Sequence, residues 1–351
     1  MKRLLIVLAV FTLRAFPAHA GLYIPGEPPE LIFNDRNVQP LPFNAFQLLL
    51  HDKLGIAVPG SQRNKEITQK VAALQSKGLD QLTTDELVSL SAYLVRLRAP
   101  EKALQLLRSG PRSAQGNFYV RANTALIHLI LGTPEALNEQ LPVKRFKPDD
   151  LVGMQPAEAA WFLHVESALF ELEKLRFKEL QARGMRTSAD KWDDLFHVSF
   201  VGPSGEYEAG TIADDQKKLL PPDAIAVVQQ LLLWLPDDAT LYWLLAELYN
   251  ATGNLEAAAA IFDECLNTRA FQPKLLREHR FVVREQLSKR QAAAQEKALQ
   301  EAKAAEERNW KNHPEIIWVA GGVVAVPLVL LVYWQVREVL RRLQGERPTR
   351  H

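Results

Sequence analysis

Between Ala239 and Leu266 large and small side chains are placed as two closely packed helices require. Tyr242, Leu245, Tyr249 and Phe262 are large, Ala246, Ala258 and Cys265 are small, and the pair Gly253-Asn254 divides the stretch. The small residues let two helix axes approach closely. The large ones fill the space between that pair and the next. Gly253 suits the left-handed position that closes the first helix, and Asn254 suits the cap of the second. A hairpin of this kind cannot bury its apolar face alone. It commits the chain to an all-α fold in which helical hairpins stack on one another.

Traces of the same unit recur upstream. From Glu66 to Leu141 apolar residues return at three- and four-residue steps, as in the stripe Leu87, Leu90, Leu94 and Leu97. Arg98-Ala99-Pro100-Glu101 precedes Ala103, and Gly132-Thr133-Pro134-Glu135 precedes Ala136, 33 residues later. Each linker places a proline at the first turn of a helix, where a missing N–H does no harm. Ala224 to Leu235 reads as the second helix of another unit, with Asp237-Asp238 capping the next. Between these blocks Pro156 to Ala182 predicts one long helix. Weak alternation at Leu195 to Phe200, a Gly202-Pro203-Ser204-Gly205 turn and Tyr207 to Ile212 predict a small β-hairpin insertion.

Taken together these segments resemble the tetratricopeptide repeat family. The resemblance is specific over Ala239 to Leu266 and weaker over Thr84 to Leu141 and Ala224 to Pro236, under half of the chain in all. It implies a helical-repeat domain whose first helices line a concave groove for peptides or proteins. The groove face carried over would be Trp243, Glu247 and Asn250 from the clear repeat, with Val88, Ala92 and Val95 from one weaker repeat and Phe118, Arg121 and His128 from the other. Members that clamp a terminal carboxylate use lysine and asparagine where Trp243 and Glu247 stand here, so that ligand class is not implied. The proline usual late in a unit is replaced by Ala270, with Pro273 slightly after it.

Both ends carry apolar runs. Met1-Lys2-Arg3, the run Leu4 to Leu13, and Ala18-His19-Ala20 before Gly21 have the layout of a secretory signal peptide. Ile316 to Trp334 is 19 residues without a charge, with Trp318 near one end and Tyr333 and Trp334 near the other. At about 1.5 Å per residue it matches the hydrocarbon thickness of a bilayer. Arg337, Arg341, Arg342, Arg347 and Arg350 follow it and favour a cytoplasmic tail. The expected order is a signal peptide at 1–20, a proline-rich arm and short helix at 21–63, degenerate repeats at 64–182, the insertion at 183–220 and clear repeats at 221–273. A charged helical stalk at 274–313, a transmembrane helix at 314–336 and a basic tail at 337–351 complete it. Cys265 is the one cysteine, so no internal disulfide can form.

Charge excludes one class of partner. The formal net charge is +1, from 42 basic and 41 acidic residues, which leaves no basic excess to displace the counterions of a nucleic acid. Glycine-rich phosphate loops are missing, and no histidines are paired at zinc-ligand spacing. The sequence thus predicts no cofactor, no metal site and no catalytic residues. Asp193, His197 and Ser199 offer the elements of a triad without a nucleophile-elbow pattern. The leading expectation is a single-pass, membrane-tethered protein that binds or scaffolds other envelope proteins, touching the bilayer through residues 316–334. Two alternatives are a subunit of an integral membrane complex held by its C-terminal helix, and an envelope enzyme using residues 190–212. The partners' identity and any self-association stay open.

Overall fold

The computed structural model describes residues 22–27, 31–34, 37–183, 190–312 and 333–337. Within them the fold is all-α. Twelve helices, most of them joined by short links, are described together with a helical stretch at 333–337, and two three-residue strands are the described β-structure. The chain forms two units, residues 1–286 and 287–351. In the first unit α1 (Phe43–Ile56), α2 (Gln62–Gln75), α3 (Thr84–Arg96), α4 (Pro100–Ser109), α5 (Phe118–Leu131) and α6 (Ala136–Val143) pack each on the next in sequence. The long α7 (Pro156–Arg183) lies against α6 and α9 (Ala224–Trp234), after the single turn α8 (Asp214–Lys217). The unit continues with α10 (Ala239–Ala251), α11 (Leu255–Asn267) and the first turns of α12 (Lys274–Asn312), while α1 returns to pack on α9. The second unit holds the rest of α12, whose side chains from 288 to 305 are exposed.

Local sequence explains where the helices begin and end. Ser61, Asn117, Asp238 and Asn254 each accept a hydrogen bond from the backbone N–H three residues on, and Thr83 with Glu86 forms a reciprocal capping box. Each such cap is worth about 1 kcal/mol. Pro100 opens α4 as expected, whereas Pro134 sits in the turn before α6. Gly253 adopts φ +82° between α10 and α11, the conformation its place at a helix end requires. Arg98 takes the equivalent role after α3 at φ +63°, although a residue with a Cβ is strained there by about 1–2 kcal/mol.

Three expectations are corrected. Residues 195–212 contain no strand; the antiparallel pair lies instead in the proline-rich arm, β1 (Ile32–Asn34) against β2 (Asn37–Gln39). The alternation at 195–200 marks inward and outward side chains of an irregular loop, with Leu195, Val198 and Phe200 buried. The stalk begins later than the charge pattern implies, because Leu276, His279 and Val283 pack into the domain from one face of α12. The open groove is the third, described below. The signal segment lies outside the described residues, as does the transmembrane run apart from Tyr333 and Trp334. No helix among the described residues is long and apolar enough to cross a membrane.

Candidate functional site

Trp243, Glu247 and Asn250 share one face of α10 through their three- and four-residue spacing. Nearly every side chain of α10 is buried, as an apolar helix without a polar face must be. Glu247 is the hub. Its carboxylate accepts from Trp243 Nε1 (2.6 Å) and Tyr207 OH (2.8 Å), and His279 Nδ1 lies 2.8 Å away. The Tyr207 and His279 rings stack with centroids 3.5 Å apart. Asn250 reads the insertion's backbone in both directions, accepting from Gly210 N–H (2.7 Å) and donating to the Glu208 carbonyl (3.0 Å). Trp192 meets Trp243 edge-on at 5.5 Å.

The face expected to line an open groove is therefore filled by the chain's own residues 192–212. The correction extends to the other repeats. Phe118 is buried beneath Tyr23 and Phe146. His128 is buried between Arg108 (3.0 Å) and Thr133 (2.6 Å), where burial and the arginine lower its proton affinity. Val88 and Ala92 are core. Arg121 alone among the six principal groove residues is partly exposed, donating to the Gln115 carbonyl (2.6 Å) with Glu139 at 3.6 Å. A signal for this filling was available, since Trp192, Phe200 and Tyr207 are more aromatic surface than a solvated insertion carries.

The same carboxamide device recurs at two other places. Asn123 pairs with both the N–H and the carbonyl of Tyr23 (2.9 Å each). Gln229 pairs with the N–H (2.8 Å) and carbonyl (3.0 Å) of Leu41. Both partners belong to the N-terminal arm, which is thus fixed to the helices at two points, with Leu22, Tyr23 and Ile24 buried at the first.

A cleft of about 430 Å³ opens at the ends of α1, α3, α5 and α9. Leu54, Val95, Leu129 and Trp234 form its apolar walls. Ile130 stands in it with 38% of its surface exposed. The arginines around it are held in pairs, while Glu101 at its edge is exposed. Arg96 grips Glu27 with both terminal nitrogens (3.3 and 3.0 Å), and Arg98 meets Asp237. Arg176 holds Asp193 (2.7 Å) and Asp238 (2.8 Å), with Thr240 Oγ1 joining the two acids. Burial opposes the Arg176 charge, but Asp238 and Asp193 outweigh it and raise its proton affinity further. Of the expected groove residues, Val95 is the one that reaches this cleft. Sequence reasoning missed the others because the cleft is assembled from five separate stretches.

The possible triad residues are not brought together among the described residues. Asp193 is turned inward to Arg176, while His197 is exposed with Asp194 at 3.7 Å. Burial pushes the Cys265 thiol up to about 12, so it is an unreactive core residue. No group of three or more metal-ligating side chains occurs among the described residues. No protein-family model matches this chain, and no curated protein or solved structure matches it either.

Proposed function

We propose that this chain is an exported protein of the tetratricopeptide type, tethered to a membrane by residues 316–334 with its basic tail on the cytoplasmic side. It binds other envelope proteins at the cleft between α1, α3, α5 and α9. The cleft carries the reading. Its walls are aliphatic and indole, its three arginines are already paired, and Ile130 is a large apolar side chain left in contact with water. An apolar centre ringed by satisfied polar groups is the usual anatomy of a protein interface, and a partner's side chain seated there displaces water without uncovering a charge. The apolar run without a charge and the arginines after it support the tether.

Cross-linking in cells, followed by purification of the full-length protein in mild detergent, tests the interface. Ile130→Glu removes the co-purifying chains, while Leu219→Glu, exposed outside the cleft, leaves them. Capture undiminished by Ile130→Glu places the binding surface elsewhere. Extraction with carbonate tests the tether separately. The full chain stays with the membrane, and the chain lacking residues 314–351 is released.

A further inference from the structure

Leu22, Tyr23 and Ile24 are as buried as the helical core. The Tyr23 ring is enclosed by Phe118 (5.1 Å), Phe162 (5.2 Å) and Trp234 (5.2 Å), and Asn123 holds its backbone. Its hydroxyl is buried on the side of Glu166, without a hydrogen-bond partner among the described residues. Glu166 is buried on α7 and accepts from Gln140 Nε2 of α6. Seven residues along the same helix Glu173 is also buried, and neither of its oxygens has a hydrogen-bond partner among the described residues.

Among the described residues no cation is paired with Glu166 or Glu173; Lys144, at the end of α6, lies over the Phe170 ring of α7 (4.2 Å) instead. From α9 the polar residues are Gln229 and Gln230, and that helix carries no charge. The charged residue of α6, Glu139, is directed to Arg121. The turn Pro148–Asp150 presents Asp149 and Asp150, both exposed. Arg176, on α7 itself, is engaged by Asp193 and Asp238. The arm contributes the Tyr23 phenol, which burial and Glu166 hold neutral.

We propose that residues 22–27 of the N-terminal arm are a pH-operated latch, seated over Glu166 while that carboxyl is protonated and lifted when it ionises. An ionised carboxylate in this position must be hydrated or neutralised. The arm is the non-helical cover over it, and its backbone at Tyr23 is held by one carboxamide. Raising it uncovers three apolar side chains and parts Glu27 from Arg96 but breaks no helix, whereas opening α6 or α9 does. Burial pushes Glu166 up to about 7, with Gln140 and Tyr23 working in the opposite direction, and Glu173 up to about 8. Once hydrated, Glu166 returns towards the ordinary value of about 4.5. The population of lifted arm therefore rises by about tenfold per pH unit between about 5 and 7, where the seated form holds a proton that the lifted form has lost, and levels off above.

Hydrogen exchange of the full-length protein at the Tyr23 amide reads this directly, because that N–H is bonded to Asn123. After correction for intrinsic exchange, its protection falls about tenfold per pH unit from 5 to 7, while amides of α10 keep theirs. Glu166→Gln makes the protection flat across that range, and Glu166→Leu carries the same expectation should the amide variant fail to fold. Asn123→Ala lowers protection at pH 5 as well, which shows that the probe reports the arm. Protection of the native protein that does not change with pH overturns the latch. So does a slope that survives loss of the carboxyl, or one shared equally by α10.

Discussion

Glu247→Ala tests the filled face most sharply, because an open groove makes this substitution harmless and the observed packing makes it severe. Glu247 is fully buried and serves Trp243 Nε1, Tyr207 OH and His279 Nδ1. Truncation leaves those polar groups without their acceptor. One orphaned buried group costs about 1–3 kcal/mol, so three set an upper range of about 3–9. Water entering the space left by the carboxylate will satisfy some of them. Disrupting a buried charged network typically costs about 3–5 kcal/mol, and we take about 4 for this site. In a domain of this size that lowers the unfolding temperature by about 8–16 °C. Urea unfolding of the full-length protein followed by tryptophan fluorescence is a direct assay, since Trp192 and Trp243 flank the cluster. Glu247→Gln, which keeps one acceptor oxygen, loses about 1–2 kcal/mol. Glu256→Ala on the exposed face of α11 stays within about 1 kcal/mol. A Glu247→Ala protein within about 1 kcal/mol of the parent refutes the reasoning and restores this face to a solvated groove.

Two further substitutions probe the buried charges. Burial, with Glu166 nearby, pushes Glu173 up to about 8 from about 4.5, so the fold keeps a proton that the unfolded chain releases, and stability falls as pH rises through that window. Glu173→Gln removes this loss, and its stability relative to the parent improves by about 3 kcal/mol between pH 5 and 7.5 in thermal unfolding; an equal difference at both pH values contradicts the assignment. Arg176→Met leaves the buried Asp193 and the partly exposed Asp238 without their cation, and denaturant titration is expected to show a loss of about 3 kcal/mol. A smaller loss than that of Arg98→Met, whose pair is exposed, excludes a structural role for the Arg176 cluster.

How far the fold could be read depended on the range of the physics involved. Helix limits near Phe43, Pro156 and Ala239 follow from caps, prolines and periodicity, all settled within a few residues. The Gly253-Asn254 junction behaved as its chemistry requires, with a left-handed glycine and an asparagine accepting from Ala257 N–H. The candidate site did not yield to the same reasoning. Trp243, Glu247 and Asn250 were placed on the correct helix and together on one face, but local pattern carries no information about what covers a face. Here the cover comes from residues 192–212, whose Gly210 lets backbone approach Asn250. The apparent strand pattern at Leu195 to Phe200 misled because an irregular loop that buries alternate side chains shows the same period as a strand. Buried carboxyls at Glu166 and Glu173 escaped notice because a glutamate on a helix reads as solvent-facing by default.

The two carboxamide grips on the arm also impose an order of events during synthesis. Most helices pack on a neighbour in sequence, so each can settle soon after it is made. Tyr23 must wait for Asn123, 100 residues later, and Leu41 for Gln229, 188 residues later. Trp234, which closes over the Tyr23 ring, comes later still, and at about 5–20 residues per second that delay is roughly 10–40 s, during which Leu22, Tyr23 and Ile24 have no complete site to enter. The first described residues of the chain are thus among the last to be fixed, and until then a short apolar segment is accessible to whatever factor meets the nascent chain.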